Sequence, residues 1–117
     1  MSVLIKNGRI VTGSEDFIGD IFIEGDHIQG IGKNLDRKAD TVINAKGMLV
    51  MPGGIDPHVH LEMPFMGTFS SDTYETGTRA ALFGGTTMVI DFILQKQGNS
   101  LQAAYDEWQG RASGTAV

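Results

Sequence analysis

The sequence contains no cysteine among its 117 residues, which excludes disulfide bonds and thiolate metal sites. Basic residues are also few: nine lysines and arginines stand against fourteen aspartates and glutamates, giving a net charge of -5. The absence of a basic cluster argues against nucleic acid as a partner. No apolar run approaches the about 20 residues that cross a bilayer, and the N-terminus lacks a signal-peptide pattern. We therefore expect a cytoplasmic protein without a membrane partner.

Apolar residues and glycine are well represented. Hydrophobic residues make up 41% of the chain, which is enough to build a core and argues against disorder. The 16 glycines fall mostly between apolar segments, where they mark turns. The length suits one domain or two partial ones.

Residues 1–51 predict a series of short strands. The pair Asn7-Gly8, set between two apolar runs, predicts a two-residue hairpin turn. Further apolar runs follow, and the last covers residues 48–51. Several short strands with regular turn signals predict a small antiparallel sheet or a sandwich.

Residues 52–117 predict a different pattern, in which strands and helices alternate. Residues 55–61 and 86–92 predict strands, the second a buried parallel one. Residues 72–83 predict a helix, with Asp72 as its cap, Glu75 completing a capping box, and Gly84-Gly85 ending it. A second helix should begin after Ser100 and end near Gly114; its apolar stripe is formed by Leu101, Ala104, Tyr105 and Trp108. This alternation indicates a parallel α/β sheet. Two such units cannot close a barrel, so we expect the opening of a larger fold.

The most informative feature is His58-Val59-His60. Side chains alternate faces along a strand, so the two imidazoles point the same way with backbones about 6–7 Å apart. They can therefore converge on one cation. Asp56 lies on the same face, where we expect a structural hydrogen-bond partner more than a metal ligand. A bare pair of histidines is weak evidence, but catalytic residues of α/β barrels lie at such strand ends.

Residues 52–60, Pro-Gly-Gly-Ile-Asp-Pro-His-Val-His, resemble the PGxIDxHxH signature of the amidohydrolase superfamily. Residues 63–68, 75–81 and 84–92, with the opening Ile-Lys-Asn-Gly at residues 5–8, resemble dihydropyrimidinases and bacterial hydantoinases. The likeness covers essentially the whole chain, in the correct order.

This resemblance implies an α/β fold: the start of a metal-dependent hydrolase (β/α)8 TIM barrel, preceded by strands of a small β-sandwich domain. Residues 1–51 would supply those strands, and residues 52–117 the first two βα units. His58 and His60 match the first two metal ligands. The others, a carboxylated lysine, two histidines and an aspartate, would lie later; Lys96 is not that lysine. The resemblance also implies two Zn²⁺ per subunit, with Mn²⁺ as an alternative, and a homotetramer or homodimer.

The implied activity is ring opening of a small cyclic amide, either a dihydropyrimidine, as in pyrimidine degradation, or a hydantoin. No catalytic residue is expected within this chain, which should be inactive alone. The alternatives are allantoinase, dihydroorotase, or a non-catalytic dihydropyrimidinase-like structural protein. Glu62 occupies the position where dihydroorotases carry an arginine for the substrate carboxylate, so repulsion by Glu62 disfavours dihydroorotate. Met63 and Phe65 are candidate substrate contacts, and Met66 is a weaker one.

The remaining chemically active side chains suggest no site. We expect structural roles or roles that support the metal ligands for Asp91, a solvated turn position for His27, a surface ion pair for Arg79, and core positions for Tyr105 and Trp108.

Overall fold

The computed structural model describes residues 1–117 and divides them into two compact units, Met1–Pro52 and Gly53–Val117. Each unit is built from its own hydrogen-bonded strands and is described by itself below. The second unit also contains both α-helices. Neither helix is long and apolar enough to span a bilayer.

The first unit is a five-stranded sheet, and the prediction of short strands in this region is confirmed. Its strands are β1 (Ser2–Val11), β2 (Asp16–Glu24), β3 (His27–Gly32), β4 (Thr41–Asn44) and β5 (Leu49–Val50). Strands β1, β2 and β3 form an antiparallel meander, whereas β4 and β5 both pair with β1 in parallel. The sheet is therefore mixed. Of the two predicted arrangements, an antiparallel sheet or a sandwich, the antiparallel sheet is wrong for the last two strands.

The predicted hairpin turn at Asn7-Gly8 is wrong, because β1 runs straight through these residues. The pairing with β2 shifts between Ile5 and Gly8, so β1 carries one extra residue there. Asn7 takes up a positive φ of 63°, and the result is a β-bulge. The Asn-Gly pair thus adopts the positive φ that it tolerates well, but it does so inside a strand and not at a turn.

Asp20 holds this bulge in place from the neighbouring strand. Its side chain is buried, and its two oxygens accept hydrogen bonds from the backbone N–H groups of Asn7 and Leu35, each at 2.9 Å. The ammonium of Lys6 lies 3.7 Å away. These donors stabilise the charged carboxylate, so the pKa of Asp20 lies below its usual value, with the Asn7 N–H as the largest cause.

The second unit follows the predicted order of strand, helix, strand and helix. Its elements are β6 (Gly54–Val59), β7 (Pro64–Phe65), β8 (Thr68–Phe69), α1 (Tyr74–Phe83), β9 (Thr86–Asp91) and α2 (Leu101–Ala112). Strands β6 and β9 pair in parallel, and β7 and β8 form a short hairpin that was not predicted. Gly53 passes so close to Thr87 that a Cβ atom would collide with the threonine side chain, which explains a glycine just before β6.

The cap of α1 is one residue later than predicted. Thr73, not Asp72, is the N-cap, and Thr76, not Glu75, completes the capping box. The backbone explains this shift, because the carbonyl of Asp72 is already engaged by the N–H of Glu62. For α2, the predicted cap is confirmed, since the side chain of Ser100 accepts a hydrogen bond from the N–H of Ala103.

The core of the second unit is a small cluster of Leu61, Tyr74 and Trp108, with Val59 and Ala112 packed against it. The prediction that Trp108 is buried is confirmed. Two other members of the predicted α2 stripe are not buried: Tyr105 is 46% exposed and Leu101 is 72% exposed. Helix α2 therefore buries a narrower face than its periodicity indicates.

The strand pair β6–β9 leaves large apolar side chains exposed, in contrast to the buried strand predicted for residues 86–92. Ile55 is 60% exposed, Met88 55% and Ile90 51%. Single exposed apolar residues are ordinary, but a contiguous patch on a two-stranded sheet marks a surface that needs a partner. Within this chain the sheet has too few strands and helices to cover its own faces.

Candidate metal centre

His58 and His60 come together at the carboxyl end of β6. The Nε2 atoms of the two rings lie 3.1 Å apart, and both side chains are exposed. Val59, between them, is half-buried and packs against the Leu61–Tyr74–Trp108 core. Strand alternation thus produces the predicted convergence, with Val59 fixing one face and the imidazoles on the other.

The geometry of this pair fits two ligands of one metal ion. Zinc binds imidazole nitrogen at about 2.0–2.1 Å in a tetrahedral arrangement, which puts two such nitrogens about 3.3 Å apart. The observed 3.1 Å separation is close to that value. No group of three or more His, Asp or Glu side chains that could hold a metal forms anywhere in the chain. This chain therefore offers two candidate ligands, which are fewer than a complete metal site needs.

Phe92, the residue directly after β9, provides an aromatic surface for both rings. Its ring stacks on that of His58 with centroids 4.1 Å apart and planes 29° apart. The His60 ring is tilted against it at a centroid distance of 5.4 Å. This contact restricts the rotamers of both imidazoles. Its one signal in the sequence was an aromatic residue at a strand end.

Asp91 lies half-buried at the end of β9 and accepts three hydrogen bonds. Its Oδ1 accepts from the backbone N–H groups of Phe92 at 2.8 Å and Leu61 at 3.4 Å. Its Oδ2 accepts from the hydroxyl of Tyr74 at 2.5 Å. Burial, and then the Asp91 carboxylate, raise the pKa of Tyr74 above its usual value, so this hydroxyl keeps its proton and donates. The expectation of a structural or supporting role for Asp91 agrees with these contacts, whereas Tyr74 was missed.

Asp56 contacts the backbone of the same strand end, two residues along the chain. Its Oδ1 accepts a hydrogen bond from the backbone N–H of His58 at 3.1 Å. This contact is the structural role that was expected, and it orients the carboxylate toward the backbone of the histidine strand.

Glu62 contacts the N-terminus of helix α1. Its Oε1 accepts a hydrogen bond at 3.1 Å from the N–H of Tyr74, the first residue of α1. A carboxylate at a helix N-terminus is stabilised by the unpaired N–H groups there. The side chain of Glu62 is therefore engaged by the start of α1, and the expected repulsion of a substrate carboxylate stays a prediction. The backbone of Glu62 has a positive φ of 48°, which turns the chain away from the strand after His60.

Arg111, on the last turn of α2, is a second residue that was missed. Its guanidinium donates to the carbonyl oxygen of Glu62 at 3.1 Å, forms an ion pair with Glu107, and lies 4.4 Å from the Trp108 ring centre. The one available signal was its spacing of four residues from Glu107. Arg111 thus holds the segment after His60 from the side of α2.

The candidate substrate contacts lie on the short hairpin β7–β8. Its two-residue turn is Met66-Gly67, with φ of 48° and 80°, as in a type I′ turn. Phe65 is 57% exposed and Met66 is 90% exposed, while Met63 is half-buried and its N–H donates to the Ser70 hydroxyl at 2.9 Å. The hairpin therefore presents apolar side chains to the surface.

Three ionisable side chains that were considered in the sequence lie away from the histidine pair. His27 is an exposed turn-flanking residue that contacts Asp26, as expected. Arg79 pairs with Glu75 at 3.1 Å on the surface of α1, also as expected. Lys96 lies 3.5 Å from Glu107.

Comparison with protein families gives a match over residues 49–115 to the model described as "Amidohydrolase family". Among curated relatives, the D-hydantoinase of Geobacillus stearothermophilus is 50% identical over 117 residues, which is 100% of this chain and 25% of that protein. The dihydropyrimidinase of Dictyostelium discoideum is 45% identical over 92% of this chain and 22% of its own length.

Solved structures show the same likeness. The crystal structure of dihydropyrimidinase from Brevibacillus agri superposes with a TM-score of 0.95 and 46% sequence identity. That match covers 99% of this chain and 25% of the solved chain. The chain thus spans about a quarter of the length of the relatives it matches.

Proposed function

Because this chain belongs to the amidohydrolase family, and within it to the dihydropyrimidinase and D-hydantoinase group, we propose that it forms part of a metal-dependent hydrolase of cyclic amides. The substrates would be dihydropyrimidines, opened to N-carbamoyl-β-amino acids, or hydantoins, opened to N-carbamoyl amino acids. The observation that carries the proposal is the convergence of the His58 and His60 Nε2 atoms to 3.1 Å at a strand end. The names of the relatives support the choice of ring.

The domain assignment belongs to the same proposal. We assign residues 1–51 to a small β-sandwich domain and residues 52–117 to the first two βα units of a (β/α)8 barrel. The parallel pairing of β6 and β9 supports a barrel origin for the second part. The exposed apolar side chains of this strand pair support further strands and helices around it.

His58 and His60 would bind the same metal ion, each through Nε2. Amidohydrolases are generally metal-dependent, and we propose two Zn²⁺ ions in the complete site, with Mn²⁺ as the alternative. When bound, such ions lower the pKa of a water molecule and polarise the amide carbonyl. A carboxylated lysine, two further histidines and an aspartate from outside this chain would complete the ligand set and proton transfer.

The hairpin β7–β8 is our candidate for a contact with the substrate. Met63 and Phe65 are uncharged, and Phe65 is exposed, so they suit a neutral ring or its 5-substituent better than a carboxylate. Since Glu62 is not a cation, its side chain offers no charge-assisted contact to the carboxylate of dihydroorotate. A homotetramer or homodimer is part of the same proposal and can be checked by light scattering.

The decisive experiment measures metal content and hydrolysis together in the full-length protein. Metal-free protein should be inactive toward dihydrouracil and hydantoin and should recover with Zn²⁺ or Mn²⁺. His58→Ala and His60→Ala should each lose bound metal and activity, because each removes a ligand and leaves the packing of Val59 intact. His27→Ala is the matched control, since His27 is 75% exposed and lies in the first unit. Full metal occupancy in either ligand variant would refute the assignment.

The same experiment separates the enzyme from a non-catalytic dihydropyrimidinase-like protein. Such a relative keeps the fold but not the complete ligand set. Metal-independent assembly without turnover of dihydrouracil, hydantoin or dihydroorotate would favour that alternative.

A further inference from the structure

The Asp91 carboxylate connects three separate parts of the second unit. Through Oδ1 it accepts hydrogen bonds from the backbone of Leu61, after β6, and from the backbone of Phe92, after β9. Through Oδ2 it accepts one from the Tyr74 hydroxyl on α1. Both of its oxygens accept hydrogen bonds from protein donors, and it is not part of any cluster of potential metal ligands.

Two of these contacts lead directly to the histidine pair. Leu61 is the residue after His60, so fixing its N–H fixes the peptide that carries the second imidazole. Phe92 stacks on His58 at 4.1 Å, so fixing its N–H fixes the surface against which the first imidazole rests. One carboxylate thereby constrains both rings.

The third contact makes this arrangement rigid. The Tyr74 ring is buried in the core with Leu61 and Trp108, and only its hydroxyl reaches out to Asp91. Because the core fixes the Tyr74 ring, its hydroxyl stays in place and restricts the movement of the Asp91 carboxylate. The core therefore fixes Asp91, and Asp91 in turn fixes the ends of β6 and β9.

Building on the proposed function, we propose that Asp91 is a positioning residue for the metal centre, acting with Tyr74 to hold His58 and His60 in their converging geometry. Asp91 touches neither imidazole and acts through Leu61 and Phe92. Residues that orient metal ligands typically change metal affinity by about 10–100-fold when they are replaced. An effect of that size on metal retention is the expected signature.

The test uses the full-length protein loaded with Co²⁺, whose visible absorption reports ligand geometry. The variants are Asp91→Ala, Asp91→Asn and Tyr74→Phe, with Asp106→Asn as the matched control, because Asp106 is an exposed carboxylate that contacts Gln102 on α2. The readouts are the absorption spectrum and the rate of Co²⁺ release to an excess of chelator.

We expect Asp91→Ala to release Co²⁺ about 10–100-fold faster than the parent, with an altered spectrum. Asp91→Asn should show a smaller effect, since the amide oxygen still accepts from the Leu61 and Phe92 N–H groups. Tyr74→Phe should also accelerate release, because it removes the hydroxyl that donates to Asp91. This variant keeps the aromatic ring in the core, so it tests the proposal even if Asp91→Ala does not fold. Asp106→Asn should match the parent.

The proposal is overturned if the folded Asp91 and Tyr74 variants release Co²⁺ at the rate of Asp106→Asn, even when their thermal stability is lower. That result would make Asp91 a purely structural residue. The proposed function fails separately: it is refuted if His58→Ala retains Co²⁺ with the parental spectrum, whatever the Asp91 variants do.

Discussion

Replacing Glu62 by arginine, the residue that dihydroorotases carry at this position, should destabilise the protein without creating a site for a substrate carboxylate. The carboxylate of Glu62 accepts a hydrogen bond from the Tyr74 N–H at the start of α1, at 3.1 Å. An arginine can neither accept this bond nor interact favourably with the positive end of a helix.

The size of the effect follows from these two terms. A hydrogen bond to a charged group contributes about 1.5–3 kcal/mol, and we take the lower part of that range because Glu62 is half-buried and water can replace it. A cation at a helix N-terminus adds a cost of about 0.3–1 kcal/mol. Glu62→Arg should therefore lower the free energy of unfolding by about 2 kcal/mol. Glu62→Gln, which keeps an acceptor oxygen, should cost about half as much.

The assay combines urea unfolding of the purified protein with amide hydrogen exchange at the first turn of α1, where protection should fall in parallel. Glu75→Gln is the matched control, because Glu75 lies in the same helical turn but pairs with Arg79 on the surface. In the full-length enzyme, kcat/KM for dihydroorotate relative to dihydrouracil should stay unchanged. A tenfold rise in that ratio with undiminished stability would refute the reasoning and place Glu62 in the substrate pocket.

Three further outcomes are expected. The 117-residue chain by itself should not hydrolyse dihydrouracil or hydantoin, because it supplies only His58 and His60 to a site that needs more ligands; measurable turnover by the purified chain would contradict this. Phe92→Leu should release metal about 2–10-fold faster than the parent, since leucine still fills the space but loses an aromatic pair that contributes about 0.5–1.5 kcal/mol; a parental rate would remove the ring from the account. The depressed pKa of Asp20 contributes stability that is fully present above the ordinary aspartate value of about 3.9 and is lost as the pH falls through the folded value, so urea unfolding should lose stability more steeply in acid for the parent than for Asp20→Asn. Parallel pH profiles would show that Asp20 keeps an ordinary pKa.

The sequence by itself determined the main strands and helices of residues 52–117, the family and the histidine pair. Period-two alternation is a local property, so His58 and His60 had to share a face once their segment became a strand. The alternation of strand and helix signals in residues 52–117 likewise carried over into β6, α1, β9 and α2. The family signature in residues 52–60 indicates amidohydrolase chemistry on its own, because it specifies residue types in a fixed order.

The tertiary structure alone decided how these local pieces are used. Asn7-Gly8 became a bulge and not a turn because Asp20, on the neighbouring strand, offers its carboxylate to the Asn7 N–H. Glu62 turned toward α1 because its Oε1 accepts the unpaired N–H of Tyr74, twelve residues away. The ring of Phe92 and the hydroxyl of Tyr74 reach the segment of His58 and His60 only after β6, β9 and α1 have packed together. Such contacts join residues far apart in the chain, so no periodicity or spacing in the sequence encodes them.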